Sequence, residues 1–319
     1  HPNSLYQLYR SNGNNSTTYR NVTVSYGGAD YENGGEELFY YASSDARPTS
    51  CVNNHLNSAP WTNTSWDNGL LEKKIIFDKN LTDLNITDYK YKLEDQFTQS
   101  VTGIAYDTKF NQIFSFPSPD RKNLEHMNIN RYSTNSYWFY LESEINIQND
   151  SGGKNPVTTF TKYKYNNPSH LKLSSQTVTN SLNEELETRY FYPQDPEMAN
   201  EPFRNELIAR NMFGKVLDTQ TIKKGVKLSE QKTVYERSAA TANLVLPKFI
   251  YANKGLDNID LNSDKKIVYD KYDEKGNILQ YTIESGTPVA IIWGYNKSQP
   301  IAKIENVTYA ELEALPGFG

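Results

Sequence analysis

The stretch Tyr269-Asp270-Lys271-Tyr272-Asp273-Glu274-Lys275-Gly276-Asn277-Ile278-Leu279-Gln280-Tyr281 decides the fold. A strand ending in paired Tyr-Asp steps runs into a Gly-Asn pair, and a second strand resumes at Ile278. Gly276 and Asn277 both tolerate the positive φ that tight hairpins require, so turn chemistry alone predicts a β-hairpin here.

The rest of the chain is built from compatible material. Its 319 residues suit one large all-β body or two ordinary domains. A mean hydropathy of -0.74 raises the question of disorder. An aromatic content of 13%, with 24 Tyr, answers it, because disordered chains are poor in rings. Tyr suits a half-wet sheet, since its ring packs while its hydroxyl finds a partner at the edge. The expected class is all-β.

Several function classes fall away at this level. The net charge of -5 arises from interspersed residues of both signs, without the basic stripe of a nucleic-acid binder. The longest apolar run, Pro288–Trp293, is far shorter than the roughly 20 residues of a membrane-spanning helix. Cys51 is the sole cysteine, which rules out an intrachain disulfide and a thiolate zinc cluster. No cofactor is expected. The chain opens His1-Pro2-Asn3, without a charged and apolar leader, and closes just after a helix signal. The expectation is a fragment of a larger protein, truncated at its C-terminus.

Period-2 alternation and turn residues recur along the chain. Strand candidates are Val22–Tyr26, Glu36–Tyr41, Leu70–Asp78, Asn85–Tyr91, Val101–Tyr106 and Gln112–Phe116. The aromatic run Tyr132–Ile147 follows, and Ser151-Gly152-Gly153 breaks the pattern. Further candidates are Thr158–Tyr165, Leu171–Thr179, Glu187–Tyr192, Val216–Ile222, Val226–Tyr235, Leu244–Tyr251, Lys266–Tyr272, Ile278–Ile283 and Val289–Tyr295. Two short helices are predicted. Glu201–Phe213 has Gly214 as its C-cap, and Tyr309–Leu315 is capped by Thr308 with Glu311 three residues on. The predicted division is a β-rich region at 1–150, a cap or a set of degenerate repeats, and a repeat region at 151–319.

The second half resembles the RHS/YD-repeat family, in particular its large secreted or cell-surface bacterial members. The resemblance rests on Tyr163–Pro168, Tyr190–Pro193, Leu228–Tyr235, Leu246–Lys248, the Tyr-Asp hairpin, and Ile291–Lys303. It implies an array of antiparallel hairpins forming a curved or spiralling sheet. It also implies a secreted or surface location and a non-enzymatic, structural role, with a type IX secretion route or a polymorphic-toxin shell as settings. The implied partners are adjacent repeats of the parent chain, and secretion machinery or an encapsulated effector. The Asp-Pro-containing core motif of the toxin members is not matched: Asp195-Pro196 lacks its Gly-containing context. Tyr269, Asp270, Tyr272, Asp273, Gly276, Tyr281, Trp293, Gly294 and Tyr295 are the residues expected to bear the fold.

Other candidate chemistry has a plainer reading beside it. Cys51 and His55 lie four apart in an Asn-rich, loop-like stretch, where a thiol and its base rarely acquire the needed geometry. Asp260-x-Asn262-x-Asp264 resembles the start of a calcium loop, but Lys265 replaces its glycine and Lys271 its bidentate Glu. A polar hairpin tip explains the same residues. Tyr137, Trp138 and Tyr140, with Trp61 and Trp66 upstream, are the candidate ligand platform of an alternative reading. That alternative is an extracellular carbohydrate- or protein-binding β module.

Overall fold

A computed structural model of the chain describes residues 19–108, 124 and 127–317. The described residues are all-β, with eighteen strands and two short α-helices. The strand candidate Gln112–Phe116 lies outside them. The chain divides between Phe160 and Thr161 into two units. Ser151–Gly153, next to the expected boundary at 150, forms the tip of a hairpin.

In the first unit β1 (Asn21–Ser25), β2 (Gly35–Tyr40), β3 (Thr49–Val52), β4 (Leu71–Phe77), β5 (Asp83–Leu93), β6 (Gln99–Thr108), β7 (Met127–Ser136) and β8 (Phe139–Gln148) follow in sequence. One sheet has the order β1-β2-β4-β5-β8 and a second the order β3-β7-β6. The aromatic run Tyr132–Ile147 therefore serves both sheets, breaking at Tyr137-Trp138. The segment around Cys51, read from sequence as a loop, is strand β3, paired with β7. Asparagines on β7 explain the difference, because their side chains bond the backbone that follows β3 and supply what a bare loop would lack. Asn130 on β7 accepts from Leu56 N at 3.0 Å and donates to Asn54 O at 3.0 Å. Asn63 donates to Asn135 O at 2.8 Å and accepts from Asn135 N at 2.6 Å. An Asn-rich stretch thus docks by imitating a strand's backbone.

The second unit is a meander. Strand β9 (Val157–Lys164) crosses the division. It is followed by β10 (Ser175–Thr179), β11 (Glu185–Phe191), β12 (Asp218–Lys223), β13 (Val226–Glu236), β14 (Leu246–Lys254), β15 (Lys265–Tyr272), β16 (Ile278–Ile283), β17 (Pro288–Gly294) and β18 (Gln299–Glu305). These strands neighbour one another in sequence order. β18 carries little alternation and is absent from the sequence expectations. β10 begins at Ser175, later than expected, because the chain first turns through Leu171 at φ +52°.

The core of this unit is small. Met198, Leu207, Leu217, Tyr235 and Val245 are buried together, with Phe191, Phe203 and Met212 packed against them. Helix α1 (Arg204–Ala209) contributes Leu207, which is fully buried. The helix stops before Gly214 because Asn211, at φ +56°, supplies the left-handed residue. Met212 N donates to Leu207 O at 2.8 Å and Asn211 N to Ile208 O at 3.0 Å, a Schellman ending with its apolar contact inside the core. Helix α2 (Tyr309–Glu313) has the expected capping box between Thr308 and Glu311.

Candidate functional site

The chain's most repeated polar arrangement is a hairpin tip pinned by its own side chain. At Asp273 the carboxylate Oδ1 accepts from Lys275 N at 2.9 Å and Asn277 N at 2.8 Å, while Oδ2 accepts from Asn277 Nδ2 at 3.0 Å. The backbone closes on itself around it, Asp273 N to Asn277 O at 2.9 Å and Gly276 N to Asp273 O at 3.0 Å. Gly276 alone takes positive φ, at +82°, and Asn277 does not. The tip is therefore a three-residue loop with one left-handed position, in place of the expected Gly-Asn pair.

The same five-residue unit recurs at Asp78–Thr82, Asp150–Lys154 and Asn180–Glu184. In each, the Asx Oδ1 accepts from the amides two and four residues on. Leu81, Gly153 and Asn183 hold the left-handed position. The hydrogen bonds, chiefly from the Thr82 and Lys154 amides, hold the Asp78 and Asp150 carboxyls below the usual range. At Asp273 burial pulls upward, and the bonds from Asn277 and Lys275 with the Lys297 charge together outweigh it, so this carboxyl too is lowered. At Asp150, Asn180 and Asp273 the signal was present in the sequence as an Asx three residues before a Gly or Asn; at Asp78, where Leu81 takes that place, it was not.

Around the Tyr-Asp hairpin the expected fold-bearing residues are drawn together. Tyr272 is buried, and its hydroxyl donates to Pro247 O at 2.7 Å. Tyr269 meets the rings of Tyr272 and Tyr281 at 5.8 and 6.3 Å. Asp270 accepts from Thr282 Oγ1 at 2.6 Å and Gln280 Nε2 at 3.2 Å. Trp293 Nε1 donates to Ile278 O at 2.8 Å. Gly294 leaves room for Ile301, whose Cγ2 would sit 2.8 Å from an added Cβ. Tyr295 differs: it is 76% exposed and opens a run of three left-handed residues through Lys297. The two tips join there, with Lys275 Nζ on Asn296 O at 2.6 Å and Asn277 Nδ2 on Lys297 O at 2.9 Å.

The second unit also carries an open cleft of about 860 Å³, walled by the loops around Asn167 and Gln194 and floored by Glu187, Arg189 and Gln220. Behind its wall lies His170, with its side chain fully buried. His170 Nε2 meets Asp195 Oδ1 at 3.1 Å and its Nδ1 accepts from Lys172 N at 2.9 Å. Asp195 also accepts from Asn167 Nδ2 at 2.7 Å and Tyr192 N at 2.7 Å. Both imidazole nitrogens are thus committed, which fixes the Nε2–H tautomer and leaves no lone pair for a substrate proton. This post was invisible in the sequence, where His170 follows an ordinary Asn-Pro turn.

A second buried group is unlike the rest. Asp218 on β12 and Glu230 on β13 are both buried, with their carboxyls side by side. Asp218 Oδ1 has no hydrogen-bond donor. Burial first, and then the Glu230 charge, push Asp218 up to about 7.

The remaining candidates are held by their surroundings. The Trp138 ring lies 5.4 Å from Phe97 and 4.8 Å from Tyr140, Tyr140 donates to Glu94 at 3.0 Å, and Asn135 donates to the Tyr137 hydroxyl at 2.9 Å. All three expected platform residues are half-buried. At the calcium-like tip, Asp260 accepts from Asn262 N at 2.9 Å and Ser263 Oγ at 3.0 Å, and Asp264 accepts from Asp260 N at 2.8 Å. Among the described residues no cluster of three His, Cys, Asp or Glu is placed to hold a metal. Cys51 is exposed, its Sγ 3.9 Å from Thr49 O. Among the described residues no helix is long and apolar enough to cross a membrane.

No family model matches the chain, and no curated protein matches it. Among solved structures it is similar to the TcdB2-TccC3-Cdc42 complex, at 10% identity and a TM-score of 0.19 over 84% of this chain. It is also similar to the Photorhabdus luminescens Tc holotoxin pore carrying a TccC3 mutation, at 10% identity and a TM-score of 0.21 over 86%. A third likeness is to TcdB2-TccC3 without its hypervariable C-terminal region, at 10% identity and 0.20 over 90%. The chain spans 12% to 13% of those chains. Likenesses this weak carry no weight, and the architecture rests on the chain's own hairpins.

Proposed function

We propose that the chain is a non-enzymatic, RHS/YD-like structural segment of a larger secreted or surface-displayed bacterial protein. The observation that carries this reading is the meander of the second unit, whose hairpins follow in sequence order. Asx-pinned tips close hairpins in both units. Such a strip satisfies its backbone by neighbour-to-neighbour pairing and asks of its polar residues only that they hold turns. Its partners on this reading are adjacent repeats of the parent chain. A type IX secretion substrate and a toxin-encapsulating shell are the two settings the family resemblance suggests.

The test is a comparison of the purified chain with its H170A and D218N variants against panels of glycoside, ester and peptide substrates. A wall gives no turnover in any of the three. Turnover in the parent chain that either variant abolishes overturns the reading.

One observation favours a second reading, the carbohydrate- or protein-binding module: the cleft of about 860 Å³ with its amide, hydroxyl and guanidinium lining. Glycan-array binding that is lost in R189A would support it, and an array without hits would count against it.

A further inference from the structure

Asp218 pairs in register with Lys232, and Gln220 with Glu230, so Asp218 and Glu230 are diagonal neighbours on one face of β12 and β13. Asp218 is 4% exposed and Glu230 9%. On β12, Gln220 Nε2 donates to Asp218 Oδ2 at 3.3 Å. β11 places Phe191 opposite Asp218 and Arg189 opposite Gln220, and Arg189 is held by Glu187 at 2.8 Å. On β13, Lys232 is drawn to Glu201 at 2.5 Å, and Lys227 to Glu230 at 2.5 Å. β14 contributes Tyr251 opposite Lys232 and Asn253 opposite Glu230, neither of them a cation. One lysine thus serves Glu230, another is held by Glu201, and Asp218 Oδ1 is left facing a second carboxyl without a donor.

We propose that Asp218 and Glu230 share a single proton that fastens β12 to β13, and that losing it loosens this hairpin, giving the second unit a built-in response to pH. Two carboxylates in contact repel, whereas a carboxyl and a carboxylate form a strong hydrogen bond. The proton therefore satisfies Asp218 Oδ1 and removes the repulsion in one step. Its position matters, because β12 itself brings Gln220 to the floor of the cleft and β13 leads through β14 to the Tyr-Asp hairpin.

The direction follows from linkage. The folded value of about 7 lies above the ordinary 3.8, so the native state binds the proton more tightly than the unfolded chain. Stability from this pair is complete below the ordinary carboxyl range, falls as pH rises towards about 7, and levels off above it.

The experiment is hydrogen exchange of the whole chain between about pH 6 and about pH 8.5, corrected for intrinsic rates, with D218N and E230Q alongside. In the parent chain, protection in β12 and β13 falls about tenfold over this range while that in β16 and β17 holds. D218N removes the pH dependence, and E230Q, which leaves Asp218 buried but takes away the neighbouring charge, weakens it. The infrared carbonyl band of a protonated carboxyl, present at the lower pH and absent at the higher, reports the proton without any substitution. Unchanged protection in the parent chain, or a pH-dependent loss that persists in both variants, overturns the proposal. Because this readout needs no substrate, it stands apart from the turnover assays that test the structural reading.

Discussion

Replacing Asp273 by alanine tests whether side-chain pinning of the tips holds the array together. The carboxylate accepts three hydrogen bonds, two of them from backbone amides, and the residue is only 5% exposed. Hydrogen bonds to a charged acceptor contribute about 1.5–3 kcal/mol each, but water at the tip recovers part of that when the acceptor goes. The closest analogue is removal of a helix N-cap, which costs about 0.5–2 kcal/mol for one or two such bonds. With the extra Asn277 bond lost, D273A is expected to cost roughly 2–4 kcal/mol. The control is built into the chain, since Asn180 holds an equivalent tip with a neutral amide. D273N should therefore cost less than about 1 kcal/mol, because its Oδ1 still accepts from both amides. Urea denaturation followed by circular dichroism gives both numbers. The depressed carboxyl adds a pH signature: its contribution is present above the ordinary carboxyl range and is lost as pH falls through the lowered folded value. If D273A costs under about 0.5 kcal/mol, or D273N costs as much as D273A, the tip is not what holds the hairpin.

Three further substitutions probe other parts of the frame. Leu81 occupies the left-handed position of its tip at φ +60° and is 65% exposed, so L81G should stabilise by about 1 kcal/mol, read from the urea midpoint. Leu207 is fully buried at the centre of the small core, and L207A should cost about 2–5 kcal/mol by the same measurement. Gly103 lies in register with Tyr132, whose Cζ would sit 2.3 Å from an added Cβ. G103A should cost about 1–3 kcal/mol, and the double variant with Y132A less than the sum of the two, in thermal unfolding.

The all-β class, most strand positions and the α2 capping box were legible because they rest on local chemistry: alternation, turn residues, and an Asx or Thr ahead of its target. The misplaced pieces depend on distant partners. β3 exists because Asn54 and Leu56 meet Asn130 some seventy residues away, which no window along the chain reveals. The stretch Ser151-Gly152-Gly153 is ambiguous for a related reason, since it reads equally well as a linker and as a tip. Only the Asp150 bonds to Gly152 N and Lys154 N decide between them. The His170–Asp195 post and the Asp218–Glu230 pair were out of reach because burial alone separates them from the chain's many exposed carboxylates.

That last distinction also bears on function. A catalytic acid or base needs a free valence aimed at space a substrate can enter. The tip carboxylates are occupied by amides, and His170 has both nitrogens engaged. Asp218 is the exception, holding an unpartnered oxygen and a carboxyl pushed up to about 7, and its donor Gln220 borders the cleft. The same substitution therefore separates the two roles. In a wall, D218N replaces a strained acid with an amide able to donate to Glu230, so the chain gains stability above neutral pH and loses nothing else. In an enzyme, that gain would arrive together with the loss of turnover.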